Sequence, residues 1–216
     1  MKILAAIISF NSADDVICCV RSVIEQVDKV LIIDNGSDQS TKLTLLQHIE
    51  QYPVSLLENG SNIGIAAATN KAIEYAISHE YDYLLTLDQD SECNESLLTE
   101  LLKPFSEGQF ENVSLTCPLI DKGQVIEQTS RSGKFQIIEY AISSGCLFSV
   151  NALKEIGMQR EDYFIDAVDF EYCLRIRKLG YKIVRCSEAV LNHKLGRQQS
   201  VNLLGKKYTL TVHSPL

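Results

Sequence analysis

Two carboxylates follow one apolar segment of the sequence at the spacing of a cation site. Asp88 and Asp90 come directly after residues 83–87, which are typical of a buried strand. Such ligands bind a hard divalent cation, or one carboxylate holds a ribose and the other holds the cation. A surface turn also places acidic residues after a strand, so both interpretations stay open. His193 could complete a metal site with Asp90, although a lone histidine is usually not a ligand.

Two other chemistries for this pair can be tested on the residues themselves. A calcium-binding EF-hand loop that began at Asp88 would need glycine at its sixth position and glutamate at its twelfth. The sequence has Cys93 and Thr99 at those positions, which excludes the loop. A phosphatase with an aspartyl nucleophile ranks low, because it would leave the polar clusters after three earlier strands without a role.

Polar clusters follow the three earlier apolar segments as well. Asn11 comes after the first, the string Asp34-Asn35-Gly36-Ser37 after the second and residues 59–64 after the third. The carboxylate of Asp34 could accept a hydrogen bond from a ring N–H, and residues 59–64 could direct backbone amides at a phosphate. The structural alternatives are an Asx turn at Asp34 and a simple helix cap at residues 59–64.

Three acidic residues lie at the start of a predicted helix in the second half of the sequence: Asp166, Asp169 and Glu171. One of them could take a proton from a hydroxyl as a general base. The structural alternative is that acidic residues stabilise the helix N-terminus, and that Glu171 with Arg175 forms an i,i+4 pair.

The elements that position these residues alternate between strands and helices in the first half. Apolar runs at residues 2–10, 30–33, 54–57 and 83–87 predict four strands. Helical patterns separate them, and the apolar positions Leu43, Leu46 and Ile49 indicate the second of these helices. This order predicts a parallel sheet, and ligands of such sheets lie beyond the carboxyl ends of the strands.

The second half shows a less regular pattern. After a helix at residues 96–103 come strand-like segments, then a helix and a final strand. The segments are residues 113–118, 124–129, 135–140 and 146–150, with the helix at 166–179 and the strand at 181–186. No linker or repeat divides the halves, so we expect one domain over residues 1–216.

The composition excludes several classes of protein. A formal charge of −8 in 216 residues disfavours binding to a nucleic-acid backbone. The longest apolar run, residues 3–8, is much shorter than the roughly 20 residues of a membrane-spanning helix, and we expect neither a span nor secretion. The seven cysteines form no C-x-x-C pair, so we expect reduced, cytosolic thiols. The absence of G-x-G-x-x-G and P-loop motifs disfavours classical dinucleotide enzymes and P-loop NTPases.

Taken together and in this order, these strings resemble the inverting family 2 glycosyltransferases of the GT-A fold, in particular their bacterial rhamnosyltransferase-like branch. The matching strings are residues 7–11, 33–37, 62–64 with Asn70, 87–91, 144–146, 166–175 and 193–196. The resemblance implies an α/β GT-A fold, with a Rossmann-like, mostly parallel sheet flanked by helices and a smaller mixed region on the acceptor side. Residues 1–103 would bind the nucleotide sugar, and residues 104–200 would bind the acceptor and carry the base.

The resemblance also implies a nucleotide-sugar site. Asp34 would bind the N–H of a uracil-like or thymine base beside the main chain of Phe10 and Asn11, and Asp88 would contact the ribose. The residues assigned to this site are Phe10, Asn11, Asp34, Asn62, Gly64, Asn70, Asp88 and Gln89.

In the same family pattern, Asp90 would bind Mg²⁺ or Mn²⁺ at the diphosphate, with His193 as a further contact. Asp169 aligns with the catalytic base, and Asp166 and Glu171 are its nearest rivals. Val168 stands before Asp169 where the family often has glutamate, which is a departure from the pattern. The residues assigned to the acceptor side or to support are Gly145, Asp166, Glu171 and Arg175.

The implied reaction transfers a sugar, L-rhamnose from dTDP-L-rhamnose, to a cell-surface polysaccharide or its lipid-linked precursor. The alternatives are a UDP-sugar donor (glucose, galactose or N-acetylglucosamine) and a catalytically silent nucleotide-sugar-binding protein. A nucleotidyltransferase would need a Gly- and Arg-rich loop after the first strand, and residues 9–12 are not one. We expect a cytoplasmic protein with peripheral contact at the inner face of the plasma membrane. Relatives continue into a basic, aromatic segment, so residues 201–216 are interpreted as the start of a truncated C-terminal extension.

Overall fold

The computed structural model describes residues 1–121, 133–165, 167–193, 198–203 and 206–211, and from residue 193 onward it describes the backbone alone. The strands are β1 Ile3–Ser9, β2 Lys29–Asp34, β3 Val54–Glu58, β4 Tyr83–Asp88, β5 Ser91–Cys93, β6 Val113–Asp121, β7 Phe135–Ile138, β8 Cys146–Ser149, β9 Lys182–His193, β10 Gln198–Leu203 and β11 Lys206–Thr211. The helices are α1 Ala13–Val23, α2 Gln39–Ile49, α3 Ile65–Ser78, α4 Leu97–Ser106, α5 Val150–Ile156 and α6 Val168–Lys178, and a 3₁₀ turn, Ile24–Gln26, follows α1.

The first four strands form the predicted parallel sheet in the order β3-β2-β1-β4. Their residues are mostly β-branched or leucine, which suits strands that helices cover on both faces. In the register, Ser9 lies beside Asp34 and Ile8 beside Asp88. The carboxyl ends of β1, β2 and β4 therefore lie at one level, as the sequence predicted.

Beyond β4 the sheet becomes mixed, as expected for the second half. Strand β8 is antiparallel to β4, β6 is antiparallel to β8 and β9 is parallel to β6, while β5 and β7 pair antiparallel with β9. Strands β10 and β11 form a separate antiparallel pair. The sequence did not predict β5 and α5, because elements of three and seven residues show little periodicity. The predicted strand at residues 124–129 lies outside the described residues.

The core has one layer on each face of the sheet. Alternate residues of β1 divide between them, with Ile3, Ala5 and Ile7 packing with α1, α2 and α4, and Leu4 and Ala6 packing with α3, α5 and α6. Burial of each large side chain contributes roughly 1.5–3 kcal/mol. Among the helices that the structure describes, none is long and apolar enough to cross a membrane.

Helix α2 is present where it was predicted, but with a different buried face. Leu43 and Leu46, which indicated the helix, are exposed, whereas Leu45 and Ile49 pack against the core. The segment contains enough leucines for two overlapping helical stripes. Contact with α1 decides which stripe is buried, and the sequence pattern alone does not contain that information.

Candidate active site

The ends of β1, β2 and β4 are joined by hydrogen bonds between residues that the sequence singled out. The N–H of Phe10 donates to Gln89 Oε1 at 2.8 Å, and the N–H of Asn11 donates to Ser37 Oγ at 2.9 Å. Asn11 Oδ1 in turn accepts from the N–H of Asp38 at 2.9 Å. Three of the predicted polar clusters therefore meet at one edge of the sheet.

Asp34 lies in this network with no exposed surface. Its carboxylate accepts from the N–H of Ser37 at 3.2 Å and lies 3.5 Å from Lys42 Nζ. Lys42 also bonds to Glu58 at 2.9 Å, and this bond raises the pKa of Lys42. These contacts match the Asx-turn alternative. Base binding by Asp34 stays a prediction.

Asn35 organises the loop at residues 59–64. Its Nδ2 donates to Asn62 Oδ1 at 3.0 Å, and its Oδ1 accepts from the N–H of Ile63 at 3.1 Å and from Asn59 Nδ2 at 3.2 Å. Asn35 is buried, so these bonds are shielded from water. One asparagine after β2 therefore fixes the loop that follows β3.

Protein groups accept hydrogen bonds from the three successive amides that lead into α3. The N–H of Gly64 donates to Asn62 Oδ1 at 3.0 Å, and the N–H of Ile65 donates to the carbonyl of Phe164 at 2.7 Å. Together with Ile63, which bonds to Asn35, three successive amides are occupied. These three amides are therefore not open to a phosphate in this structure, and phosphate binding by residues 59–64 stays a prediction.

Asn70, assigned to the nucleotide sugar by resemblance, makes structural contacts. It is buried, its Nδ2 donates to the carbonyl of Gln159 and to Glu161 Oε1, both at 2.9 Å, and its Oδ1 accepts from the N–H of Gln159 at 2.7 Å. Asn70 thus ties α3 to the segment after α5. A direct contact with a nucleotide stays a prediction.

Asp88 and Asp90 lie half-buried at the end of β4. The N–H of Asp88 donates to Ser144 Oγ at 3.2 Å, and this hydroxyl lies 2.7 Å from Ser91 Oγ. Ser91 and Ser144 are both buried. The buried hydroxyl groups of Ser144 and Ser91 therefore stabilise the turn that carries the two carboxylates.

The donor set at this turn fits a magnesium or manganese ion. Mg²⁺ is usually bound by one or two carboxylates together with substrate phosphates and water. Asp88 and Asp90 supply such carboxylates, and in the described part of the chain no group of three His, Cys, Asp or Glu side chains converges as a closed metal site. Ser91 pairs with His193 across β5 and β9, which brings the backbone of His193 next to this turn. The side chain of His193 lies outside the described residues.

Asp169, in the first turn of α6, has the environment of a base. Burial raises the pKa of its carboxyl group, while hydrogen bonds from the N–H and the hydroxyl of Ser143 act in the opposite direction. The carbonyl of Ser143 accepts from Thr86 Oγ1 at 2.5 Å. Since Ser144 holds Asp88, neighbouring residues of one loop contact both candidate sites.

Glu171, one rival of Asp169, is engaged by a neighbouring side chain. Glu171 forms the expected i,i+4 pair with Arg175, at 2.9 Å from Arg175 Nε, and Arg175 also donates to the carbonyl of Met158 at 2.6 Å. A carboxylate held by a guanidinium in this way is not free to contact an acceptor hydroxyl. Asp166 lies outside the described residues.

Gly145 has a packing role beside the site. Its φ is +78°, and its N–H donates to the carbonyl of Thr86 at 2.8 Å. A Cβ atom at this position would lie 2.8 Å from Pro118 Cγ and 2.9 Å from Leu191 Cδ2. Only glycine fits there without displacing its neighbours.

Comparison with known families gives a match over most of the chain. The model of Glycosyl transferase family 2 matches residues 5–161. The chain belongs to glycosyl transferase family 2. It is similar to the dTDP-rhamnosyl transferase RfbF of Shigella flexneri, with 27% identity over all of this chain and 75% of that protein. It is also similar to the amylovoran biosynthesis glycosyltransferase AmsB of Erwinia amylovora, with 25% identity over 87% of this chain and 67% of that protein.

Solved structures share the fold of this family 2 glycosyltransferase. GalNAc-T7, solved with UDP, GalNAc and Mn²⁺, has a TM-score of 0.73 and 16% identity over 95% of this chain and 45% of its own. The mannosyltransferase PcManGT of Pyrobaculum calidifontis, in complex with GDP-Man and Mn²⁺, has a TM-score of 0.68 and 18% identity over 91% of this chain and 57% of its own. The chain therefore spans about half the length of these structures, and the expected GT-A fold is confirmed.

The sequence does not single out several residues of the candidate site. Ser143 belongs to none of the predicted clusters, and Ser144 enters only through the resemblance. Asn35 and Ser37 belong to the polar string after the second strand, but the sequence assigns their side chains no role of their own. The contact of Ser144 with Asp88 joins residues 56 positions apart, and no local pattern encodes such a contact.

Proposed function

We propose that this glycosyltransferase moves L-rhamnose from dTDP-L-rhamnose onto a hydroxyl of a cell-surface polysaccharide or of its lipid-linked precursor. The observation that carries the donor is the similarity to a dTDP-rhamnosyl transferase over the whole chain. Two solved structures with this fold contain UDP or GDP-Man, so other nucleotide sugars belong in the test.

In the proposed reaction, Asp169 accepts the proton of the acceptor hydroxyl at one carboxylate oxygen. The hydroxyl oxygen bonds to the anomeric carbon from the face opposite the diphosphate, and the electron pair of the broken C–O bond leaves with the diphosphate. This single displacement inverts the configuration. The raised pKa of Asp169 supports the role, because a more basic carboxylate takes a proton more readily.

Asp88 and Asp90 hold the donor in this proposal, the first at the ribose and the second at Mg²⁺ or Mn²⁺, with His193 as a further contact. A divalent cation bound there neutralises negative charge on the leaving diphosphate. The hydroxyls of Ser144 and Ser91 keep the turn in place. Phe10, Asn11 and Gln89, at the same edge of the sheet, would line the nucleotide pocket in this proposal.

We further propose one domain in which residues 1–103 bind the nucleotide sugar and residues 104–200 bind the acceptor. The reaction is placed in the cytoplasm, with peripheral contact at the inner face of the plasma membrane. Seven free cysteines, five of them buried, support a reducing compartment.

Calorimetry against dTDP-L-rhamnose, UDP-glucose, UDP-galactose and UDP-N-acetylglucosamine, each with and without Mn²⁺, tests the donor. We expect dTDP-L-rhamnose to bind best and to lose at least about tenfold in affinity without the cation, which is roughly 1.4 kcal/mol. If a UDP-sugar bound more tightly than dTDP-L-rhamnose, that UDP-sugar would be the donor instead. If none of the four bound, the proposed function would be wrong.

Two substitutions separate an enzyme from a silent binding protein. Asp90→Asn should weaken cation-dependent donor binding, because an amide is a poorer ligand than a carboxylate. Asp169→Asn should leave donor binding intact but lower transfer by about 10²–10⁴-fold, which is the usual contribution of a general base. The control is Glu74→Gln, on the exposed face of α3. Full transfer by Asp169→Asn would refute the assignment of the base.

A further inference from the structure

Two aromatic rings next to Asp169 are stacked on each other and still reach solvent. The rings of Tyr140 and Phe170 lie 4.0 Å apart at an interplanar angle of 14°. Tyr140 is 36% exposed and Phe170 is 56% exposed. We call this pair the aromatic platform. Aromatic side chains commonly line ligand sites.

The platform is fixed to α6 by contacts on either side of Tyr140. Glu139 Oε1 lies 3.1 Å from the guanidinium of Arg177, and the thiol of Cys173 lies 3.6 Å from the carbonyl of Ala141. Three successive residues of the segment before β8 therefore touch the helix that carries Asp169. The platform is preorganised, which lowers the entropic cost of binding a ligand.

The platform and the proposed base are close neighbours. Phe170 directly follows Asp169 in α6. Burial raises the pKa of Tyr140, and the negative charge of Asp169 raises it further, so the phenol lies near the carboxylate. A ligand of the platform must therefore have an apolar face that packs on the rings and a polar group that meets the carboxylate of Asp169.

We propose that the aromatic platform of Tyr140 and Phe170 stacks against a pyranose ring of the acceptor and presents one of its hydroxyls to Asp169. The inference rests on the proposed function, since Asp169 is its base. A pyranose has an apolar C–H face and hydroxyl groups at its rim, which match the rings and the carboxylate. A lipid chain would instead displace water from the carboxylate without offering it a further hydrogen bond, which is unfavourable.

The chain contains no tryptophan, so an introduced tryptophan can serve as a fluorescent reporter of binding. Phe170→Trp places a single fluorescent reporter in the platform. Leu174→Trp places a matched control one turn further along α6, where Leu174 is 60% exposed. Both proteins are titrated with the methyl pyranosides of rhamnose, glucose, galactose and mannose up to about 100 mM, because one sugar ring binds weakly. Sorbitol provides hydroxyls without a ring.

We expect a saturable change in emission of Phe170→Trp with at least one pyranoside, no change with sorbitol and no change in Leu174→Trp. Adding Tyr140→Ala to the Phe170→Trp protein should weaken this binding at least about fivefold, roughly 1 kcal/mol, by removing the stacked partner. Circular dichroism of each variant checks that the fold is retained.

No response to any of the pyranosides would overturn the proposal. A blue shift with vesicles of phosphatidylglycerol and phosphatidylethanolamine, without a response to sugars, would also overturn it and would assign a lipid surface instead. The fluorescence needs neither donor nor turnover. A protein that binds pyranosides at the platform but binds none of the nucleotide sugars would therefore refute the proposed function and leave the platform standing.

Discussion

Among single residues, Asp169 has a pKa that burial raises and that hydrogen bonds from Ser143 lower. Burial favours its neutral form, whereas two donors from Ser143 favour the anion. The nearby thiols of Cys146 and Cys173 have pKa values raised by burial, to about 11 for Cys173, so they are neutral near pH 7 and add no charge. Tyr140 also has a raised pKa and is neutral there. Ser143 is thus the group through which the basicity of Asp169 is tuned.

Ser143→Ala should move the acid limb of the pH–rate profile to higher pH. A base works only when it is deprotonated, so transfer falls as the pH drops through the pKa of Asp169. Loss of the hydroxyl donor destabilises the anion and raises that pKa further. The measurement is kcat/KM for transfer against pH, with Ser106→Ala on the exposed end of α4 as the control. An acid limb that stayed in place would mean that Asp169 is not the titrating base.

For single residues, the sequence predicted which polar side chains lie near the site but not which residues they contact. It placed Asn11, Asp34, Asp88 and Gln89 at one edge of the sheet, because polar residues directly follow apolar strands. It could not show that Asp34 is fully buried, since Lys42 and the 35–38 turn cover it only in the folded chain. Side-chain pairing across long separations depends on tertiary packing.

At the scale of elements, the turn after β2 and the loop after β3 form one packed unit. Gly36 has φ +93°, and a Cβ atom there would lie 2.4 Å from the carbonyl carbon of Ser61 and 2.6 Å from the amide nitrogen of Asn62. Gly60, in the same unit, has φ +76° but nothing within 4 Å of its Cβ position. The two glycines share a backbone requirement and differ in the space around them.

Gly36→Ala should therefore destabilise the protein more than Gly60→Ala. Both substitutions impose a positive φ on alanine, at about 1–3 kcal/mol. Gly36→Ala also pushes backbone atoms apart, which adds to that loss and disturbs the loop that Asn35 holds. Urea unfolding of both variants gives the two free energies of unfolding. Equal losses would show that the close contact is relieved by small backbone shifts.

The elements were predictable where they repeat a pattern and unpredictable where they are short. Strands β1 to β4 and their helices follow from apolar runs of normal length. Strand β5 has three residues and exists because Ser91 pairs with His193, 102 positions later in the chain. The buried stripe of α2 likewise depends on α1. Strand β5 and the buried face of α2 depend on contacts with distant parts of the chain, which the local sequence does not contain.

At the scale of the whole molecule, the nine-stranded sheet joins a parallel half to a mixed half at β4 and β8. Asp88 and Asp90 follow β4, and Asp169 is on α6, yet the loop before β8 contacts both Asp88 and Asp169. The core contains most of the thiols, with Cys19, Cys117, Cys146, Cys173 and Cys186 buried. Only Cys18 is exposed, and Cys93 is half-buried.

The native protein should react with a thiol reagent at Cys18 alone near neutral pH. Burial raises the pKa of Cys93 to about 12, so its reactive thiolate is scarce, and the remaining thiols are shielded. Titration with Ellman's reagent should give one equivalent in the native state and seven in urea, and Cys18→Ser should abolish the native reaction. Two or more equivalents in the folded protein would indicate local opening of the core.

The loop at residues 143–145 also sets a limit on how this chain can vary in length. Ser143 contacts Asp169, Ser144 contacts Asp88, and Gly145 is enclosed by Pro118 and Leu191. Three consecutive residues have three separate partners, so an inserted or deleted residue would put at least one of them out of register. Length changes that keep activity should therefore fall outside this tripeptide, which makes it a fixed reference point for transplanting segments between related chains.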